Sequence, residues 1–208
     1  MIKQIFQALR HHFRTGRYRK ISYILHPELT TGLILDLGGG PASFFSERFP
    51  HSEQIVLLEI DTREALRAKE KLSRLQVVVA DGEHMPFPDQ SIALTICNSV
   101  IEHVIHPDQL AKEICRVSHQ YFIQTPNGDF PLEPHSLIGI PFYNMIGSRS
   151  ARRFLCRLFG GNFEYIESVR YLKEAYLRSL FPKSKIEYEK VLGLVKSYYI
   201  YRKTGSTE

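Results

Sequence analysis

Several features that would place this chain in other classes are missing from its sequence. No apolar run approaches the roughly 20 residues that a membrane-spanning helix needs, so we expect no transmembrane segment. The basic N-terminal stretch lacks the long apolar core of a secretory signal. Only three cysteines occur, and they are widely spaced in apolar surroundings: Cys97, Cys115 and Cys156. Together these absences predict a cytoplasmic protein with reduced cysteines.

Metal-binding motifs, internal repeats and low-complexity stretches are missing as well. His103 and His106 are spaced for one face of a helix, but EHVIH matches neither HExxH nor HxxEH. No third ligand stands nearby in the sequence, so we predict no metal site. The apolar and charged fractions, 43% and 24% of 208 residues, are those of an ordinary globular protein. This length predicts one domain with additions.

What the chain does contain is a series of apolar runs that end in acidic residues. The first three runs stop at Asp36, Glu59 and Asp81, and charged, helix-like segments near 42–49 and 62–75 separate them. This alternation predicts an α/β fold with a doubly wound parallel sheet. The ligand site of such a sheet lies beyond the carboxyl ends of its strands. The recurring acids therefore mark a candidate site.

The remainder of the chain completes the predicted sheet. SIALTIC predicts a fourth strand, followed by a helix from Glu102 to Val117, and QYFIQTPNG predicts a fifth strand. KIEYEKVL and VKSYYIYRK, on either side of Gly193, predict an antiparallel hairpin at one edge of the sheet.

Two further segments flank this alternating pattern. Apolar residues at helical spacing predict an amphipathic helix over residues 2–13, and a second short helix is predicted over 21–29. Residues 128–165 lack a clear period and predict an insertion with one helix at about 149–159. Another helix is predicted at about 167–180. The N-terminal helix is expected to pack on the domain or to close over its site.

The densest motif of the chain is LILDLGGGPASFF, residues 33–45. A buried strand enters a turn of three glycines, which lets a ligand approach the backbone without a Cβ in the way. Donors at this turn and carboxylates on the next strands suit a nucleoside. Glu59 can accept hydrogen bonds from both ribose hydroxyls, and Asp81 or its neighbours can accept one from an adenine amino group.

In order and spacing, DLGGGPA, EID, ADGEHMPFPDQSIAL and NSVIEHV resemble the motifs of class I S-adenosylmethionine-dependent methyltransferases, most closely the type 11 group. The resemblance covers residues 33–127. It implies a Rossmann-like, mostly parallel seven-stranded sheet with an antiparallel last strand, and S-adenosyl-L-methionine as cofactor. A nicotinamide dinucleotide is the main rival. It ranks lower, because that fingerprint needs glycine or alanine where Ser43 stands and has no use for Asp36.

The resemblance also implies which residues contact the cofactor. It places ten residues there: Asp36, Gly38, Gly39, Gly40, Glu59, Ile60, Asp81, Gly82, Glu83 and Asn98. For proton removal from an acceptor, the candidate bases are His103 and His135, with Glu133 able to orient His135. A structural role is an alternative for each histidine. An unidentified base does not count strongly against an enzyme, because alignment of the reactants can supply much of the catalysis.

We therefore expect an N-terminal helical cap, residues 1–30, on a methyltransferase domain, residues 31–208. The cap and the 128–165 insertion would form a pocket for a small-molecule acceptor, methylated on oxygen, nitrogen or carbon. Basic residues in the insertion favour an anionic acceptor or a membrane-associated cell-envelope precursor: Arg149, Arg152, Arg153 and Arg157. A nucleic-acid methyltransferase and a non-catalytic scaffold that binds the cofactor are the alternatives. No separate recognition module supports nucleic acid as the partner, and the sequence leaves the oligomeric state open.

Overall fold

A computed structural model of the chain describes residues 2–26, 31–42, 52–133, 135 and 139–203; for residues 2–7, 9, 10, 42 and 52 it describes the backbone alone. The strands are β1 Ile34–Leu37, β2 Ile55–Glu59, β3 Gln76–Val79, β4 Ile92–Asn98, β5 Ser118–Pro126, β6 Leu132–Glu133, β7 Ile140–Pro141, β8 Lys185–Val191 and β9 Leu194–Arg202. The helices are α1 Ile2–Leu25, α2 Thr62–Lys71, α3 Pro107–Val117, α4 Arg149–Phe159, α5 Phe163–Ser168 and α6 Glu174–Leu180.

Seven of these strands form one sheet in the order β3-β2-β1-β4-β5-β9-β8. Strands β1 to β5 pair in parallel, and β9 lies antiparallel between β5 and β8. This confirms the predicted doubly wound sheet with an antiparallel last strand. The strand order reverses its direction between β1 and β4, which is where such folds open a crevice for a ligand.

The central strands are hydrophobic along their whole length because both faces of the sheet are covered. Successive side chains point to opposite faces, so Leu35 and Leu37 enter one apolar cluster. Ile34 and Leu57 enter another on the opposite side. A strand buried on both faces reads as a continuous apolar run without alternation.

Helix α1 is one continuous helix, so the prediction of two helices at 2–13 and 21–29 is wrong. Gly16 does not interrupt it, since a glycine inside a helix costs only about 1 kcal/mol. Burial of Ile21, Ile24 and Leu25 against the sheet provides the anchor. The side chains on the predicted apolar face nearer the N-terminus, among them Ile5 and Phe6, lie outside the described side chains, as do residues 27–30.

Two other predicted helices also have different bounds. The helix predicted from Glu102 begins at Pro107, which occupies the first turn, where its missing N–H and fixed φ are tolerated. The helix predicted at 167–180 is two helices, α5 and α6. Between them, Val169 and Leu172 are buried, and the Arg170 amide donates to the Glu102 carbonyl at 2.8 Å. The helix predicted after Ala42 lies outside the described residues.

The insertion at 128–165 builds a small subdomain core of its own. Helix α4 has the predicted bounds, with Ser148 as its N-cap and Gly160 at φ 70° as its C-cap. The short ribbon β6–β7 packs beside it. The shared apolar cluster contains Ile140, Tyr143, Cys156, Phe163 and Ile166. Across the described ranges, no helix has both the length and the apolarity to cross a bilayer.

Candidate active site

The glycine turn after β1 forms the floor of the site. Asp36 is buried on β1, and the Gly38 amide donates to the Leu58 carbonyl at 2.8 Å, which ties the turn to β2. Gly38 and Gly40 have φ of 64° and 57°, a region that side chains disfavour. A Cβ on Gly39 would stand 2.6 Å from an Asp36 carboxylate oxygen. The turn therefore depends on glycine for both conformation and close approach.

Glu59 faces this turn from the end of β2. Its Oε1 accepts hydrogen bonds from the amides of Ile60 and Asp61 at 2.9 and 3.2 Å, which fixes the carboxylate. Its Oε2 lies 3.7 Å from the position of a Cβ on Gly40. The neighbouring Ile60 side chain is 67% exposed. A fixed acceptor, a glycine cradle and an exposed apolar side chain fit the ribose and the base of an adenosine group.

The three residues predicted after β3 have different surroundings. The Asp81 side chain is 48% exposed and accepts from the Glu83 amide at 2.8 Å, which leaves its carboxylate at the surface of the site. Gly82 packs against Leu110, so that a Cβ there would lie 3.0 Å from the Leu110 side chain. Glu83 is buried, and its Oε1 accepts from the amides of Ile105 and His106, each at 3.0 Å. Gly82 and Glu83 thus support the loop, whereas the Asp81 carboxylate is exposed at its surface.

Helix α1 reaches the same edge of the sheet, a contact that no sequence motif signals. Arg17 Nη1 donates to Asn98 Oδ1 at 2.8 Å and to Gln124 Oε1 at 2.7 Å. Ser99, at φ 58°, donates from its hydroxyl to the same Gln124 oxygen at 2.7 Å. The cap therefore contacts the carboxyl ends of β4 and β5 through one guanidinium group.

His135, one of the two predicted bases, is held by a carboxylate. Its Nδ1 lies 2.7 Å from Glu133 Oε1, and its backbone amide donates to the same oxygen at 2.8 Å. The Tyr171 hydroxyl donates to this oxygen at 3.2 Å. The Glu133 side chain is fully buried, whereas the His135 side chain is 13% exposed. Glu133 therefore orients the imidazole, as the sequence predicts.

His103 lies against His135, although the two are far apart in the chain. Their ring centroids are 5.4 Å apart in an edge-to-face arrangement. The His103 ring also stacks on Tyr165, whose hydroxyl lies 3.2 Å from His103 Nε2. Burial, and then the proximity of His135, lower the pKa of His103 to about 4. Its imidazole is therefore neutral at pH 7.

Glu102 completes the cluster from a fully buried position. Its Oε2 accepts from the Thr125 hydroxyl at 3.0 Å, while its Oε1 is buried with no hydrogen-bond partner. Burial raises the pKa of Glu102 to about 7. Side-chain ligand atoms of Glu102, His103 and His135 all lie within 4.8 Å of one another. Glu102 is adjacent to His103 in the chain, whereas His135 comes from another loop, so only the folded structure brings the three together.

Sequence reasoning missed the partners of the two histidines. Glu102 belongs to the NSVIEHV motif but was given no role, and Thr125, Tyr165 and Tyr171 carry no local pattern of their own. We call Glu102, His103, Thr125, Glu133, His135, Tyr165 and Tyr171 the histidine cluster. Two sites therefore lie along one edge of the sheet. The ends of β1–β3 form a cradle that suits a nucleoside, and the ends of β4–β5 carry the histidine cluster, whose side chains can accept or hold a proton.

Comparison with known proteins shows which sequences and folds this chain resembles. Residues 35–120 match the family model described as a methyltransferase domain. An uncharacterized methyltransferase from Mycobacterium sp. (strain JLS) is 33% identical over 85 residues, which is 41% of this chain and 34% of that relative. The matching part of the chain thus spans about a third of the length of the curated relatives it matches.

Solved structures share the fold over nearly the whole chain. A protein from Methanococcus maripaludis, assigned as an S-adenosyl-L-methionine-dependent methyltransferase, has a TM-score of 0.60 and 15% identity, with 99% of this chain and 91% of that chain covered. Magnesium protoporphyrin IX methyltransferase from Synechocystis, solved with bound SAH, has a TM-score of 0.59 and 12% identity, with 92% and 82% covered. At these identities the likeness shows the fold.

Proposed function

We propose that this chain is a class I S-adenosylmethionine-dependent methyltransferase that transfers a methyl group to a small-molecule acceptor. The observation that carries the proposal is that the glycine turn facing Glu59 shares one edge of the sheet with the histidine cluster. A methyltransferase needs such an arrangement, because the cofactor and the acceptor must meet in line.

The cofactor would lie across the carboxyl ends of β1 to β4. The glycine turn beside Asp36 suits its amino acid part, Glu59 suits the ribose hydroxyls, and Ile60 with Asp81 suits the adenine. When S-adenosylmethionine is bound, it supplies a sulfonium methyl group that a nucleophile attacks. Asn98, held by Arg17, would lie near that end of the cofactor.

The acceptor would enter beside His135. Because Glu133 binds Nδ1, the remaining nitrogen, Nε2, is available to take a proton from an acceptor hydroxyl or amine. Such a base contributes about a hundredfold to ten-thousandfold, whereas alignment of the reactants can contribute roughly 7 to 11 kcal/mol. The cap and the insertion, which supply Arg17 and His135, would mainly position the acceptor and exclude water.

Helix α4 supports a more specific acceptor class, an anionic or membrane-associated cell-envelope precursor. Arg149, Arg153, Arg157 and Phe154 line, with Ser150, a surface groove of about 340 Å³. Arg153 pairs with Glu164 at 3.0 Å. No ion pair joins Arg149 or Arg157 to a carboxylate in the part of the chain that is described. Cationic groups beside an exposed phenylalanine suit the surface of anionic lipid.

Calorimetric titration with S-adenosylmethionine and S-adenosylhomocysteine tests the cofactor assignment, with NAD as the comparison ligand. We expect both sulfur compounds to bind and NAD not to bind. Glu59→Ala should weaken their binding by about tenfold or more, since a charge-assisted pair of hydrogen bonds to the ribose is lost. The control is Glu70→Ala, which removes an exposed carboxylate from α2.

Methyl transfer itself requires a second measurement. Radiolabelled S-adenosylmethionine, incubated with a cell extract depleted of macromolecules, should label a small product in the presence of the chain. His135→Ala should reduce that labelling while S-adenosylhomocysteine binding is retained. Label that appears only with RNA, DNA or protein fractions would contradict the small-molecule acceptor, and no label in any fraction would favour a scaffold.

A further inference from the structure

We propose that Glu102, His103 and His135 form a binding site for a divalent metal ion of the zinc type. Two imidazoles and one carboxylate, with a fourth position left open, are a ligand set that catalytic zinc sites use. Side-chain ligand atoms of the three residues lie within 4.8 Å of one another. Zinc–ligand distances of about 2.0–2.2 Å require a narrower triangle, so the side chains would close slightly around the ion.

The unpaired oxygen of Glu102 is an independent sign of a missing partner. Glu102 is fully buried, and its Oε1 has no hydrogen-bond donor. No ion pair joins it to a lysine or arginine within the described ranges. Buried carboxylates are usually paired or bound to metal, because an isolated buried charge is unfavourable. A cation beside the two histidines would satisfy this oxygen.

Each proposed ligand is also fixed by a second group. Glu133 Oε1 holds His135 Nδ1 at 2.7 Å, which leaves Nε2 for the ion. The Tyr165 hydroxyl lies 3.2 Å from His103 Nε2, so Nδ1 is the nitrogen left for the ion. The Thr125 hydroxyl donates to Glu102 Oε2, which leaves Glu102 Oε1 for the ion. Outer partners of this kind orient the ligands of metal sites.

The role of this ion, although not its binding, rests on the proposed function. The ion would bind an acceptor hydroxyl at its open fourth position and lower the pKa of that hydroxyl, so that its proton would pass to solvent as the methyl group is accepted. His135 would then act as a ligand, and the ion would take over its task of activating the acceptor. The site lies at the ends of β4 and β5, away from the ribose-binding carboxylate on β2.

The test is calorimetric titration of the full chain, first treated with a chelator and dialysed, with zinc chloride. We expect one ion per chain, and we expect Mg²⁺ to bind far more weakly, since that ion prefers oxygen ligands. Co²⁺ should give the intense visible absorption of a low-coordinate site with nitrogen ligands. Glu102→Gln and His103→Ala should each weaken zinc binding by about a hundredfold, since outer-shell changes already cost about 10- to 100-fold.

Matched variants separate this proposal from that of the cofactor. His119→Ala removes an exposed histidine and should leave zinc binding unchanged. Glu59→Ala should lose S-adenosylhomocysteine and keep zinc, while Glu102→Gln should do the reverse. If Glu102→Gln or His103→Ala fails to fold, His135→Ala, which changes the less buried of the paired groups Glu133 and His135, takes its place. Absence of a 1:1 zinc complex in the native chain, or unchanged binding in His135→Ala, would overturn the site.

Discussion

Arg17 on the N-terminal helix donates a hydrogen bond to Asn98 at 2.8 Å, across 81 positions of sequence. The same nitrogen donates to Gln124 at 2.7 Å. One guanidinium group therefore ties α1 to β4 and β5, two neighbouring strands on one side of the switch in the sheet. The aromatic ring of Phe13 adds a contact in the same region, with the Lys196 ammonium 4.1 Å from its centroid. These polar contacts hold the middle of α1 on the sheet, beside the apolar anchor that Ile21, Ile24 and Leu25 provide.

Replacing Arg17 with methionine should loosen the cap without unfolding the sheet. Hydrogen bonds to charged groups contribute about 1.5–3 kcal/mol each, so amide exchange over residues 11–25 should accelerate by about tenfold or more. Exchange in β1 and β4 should stay the same. Hydrogen–deuterium exchange with mass spectrometry measures both, and Arg19→Met, an exposed change on the same helix, is the control. Equal exchange in the two variants would show that Arg17 does not hold the cap.

Gly39→Ala should damage the cofactor cradle specifically. A Cβ would lie 2.6 and 2.7 Å from the two Asp36 carboxylate oxygens, so the buried carboxylate must shift. We expect S-adenosylhomocysteine to bind about tenfold more weakly or worse, with the circular dichroism spectrum unchanged. Gly147→Ala is the matched control, because nothing lies within 4 Å of its added Cβ. Native affinity in Gly39→Ala would mean that the turn has more room than the contact implies.

Glu113 provides a pH-dependent part of the stability. Arg116 and the Met85 amide bind its carboxylate, each at 2.7 Å, and the hydrogen bond from Arg116 lowers the pKa of Glu113. A lowered folded-state pKa means that this stabilisation is complete above the unfolded value, about 4.3, and is lost as the pH falls through the lower folded value. Protonation of Glu113 in acid thus removes its contribution to the free energy of unfolding.

We therefore expect Glu113→Gln to lower the free energy of unfolding by about 1–3 kcal/mol at pH 7. The difference from the native chain should shrink at pH 3 and below. Urea denaturation at several pH values measures it, with Glu70→Gln on an exposed helix face as the control. A difference that is the same at pH 7 and pH 2.5 would contradict an ionic contribution from Glu113.

Helix α4 should bind anionic membrane surfaces through Arg149 and Arg157, neither of which forms an ion pair with a residue that the structure describes. Each lysine or arginine near such a surface contributes about 1 kcal/mol, so Arg149→Ala combined with Arg157→Ala should weaken binding to phosphatidylglycerol vesicles by about 10- to 30-fold. Co-sedimentation at low and high salt measures this. Arg63→Ala combined with Arg74→Ala removes the same charge from exposed positions elsewhere. An equal loss of vesicle binding in both double variants would show that the binding depends on net charge and not on the position of these arginines on α4.

The sequence anticipated most of the sheet because the relevant signals are local. An apolar run such as Ile55–Leu58 is buried on both faces wherever the helices pack, and Gly38 and Gly40 adopt positive φ as parts of the turn itself. The pairing of Glu133 with His135 could also be predicted from the sequence, since only one residue separates them. In each case, neighbours along the chain supply the interaction.

Helix ends were harder to predict because distant groups decide them. The stretch that starts at Glu102 has a helical pattern, yet its turn is fixed by Glu83 binding the amides of Ile105 and His106. The break between α5 and α6 follows from burial of Val169 and from the bond between Arg170 and the Glu102 carbonyl. Tertiary contacts override local propensity at such positions.

By itself, the sequence determined the order of strands and helices, the glycine turn and the row of acids at the strand ends, because each depends on residues that are adjacent in the chain. The tertiary structure alone decided that Arg17 reaches Asn98 and that Glu102, His103 and His135 share one cluster. Those groups meet only after β4, β5 and the insertion have packed together. Their pairing follows from the folded geometry and leaves no spacing signal in the chain.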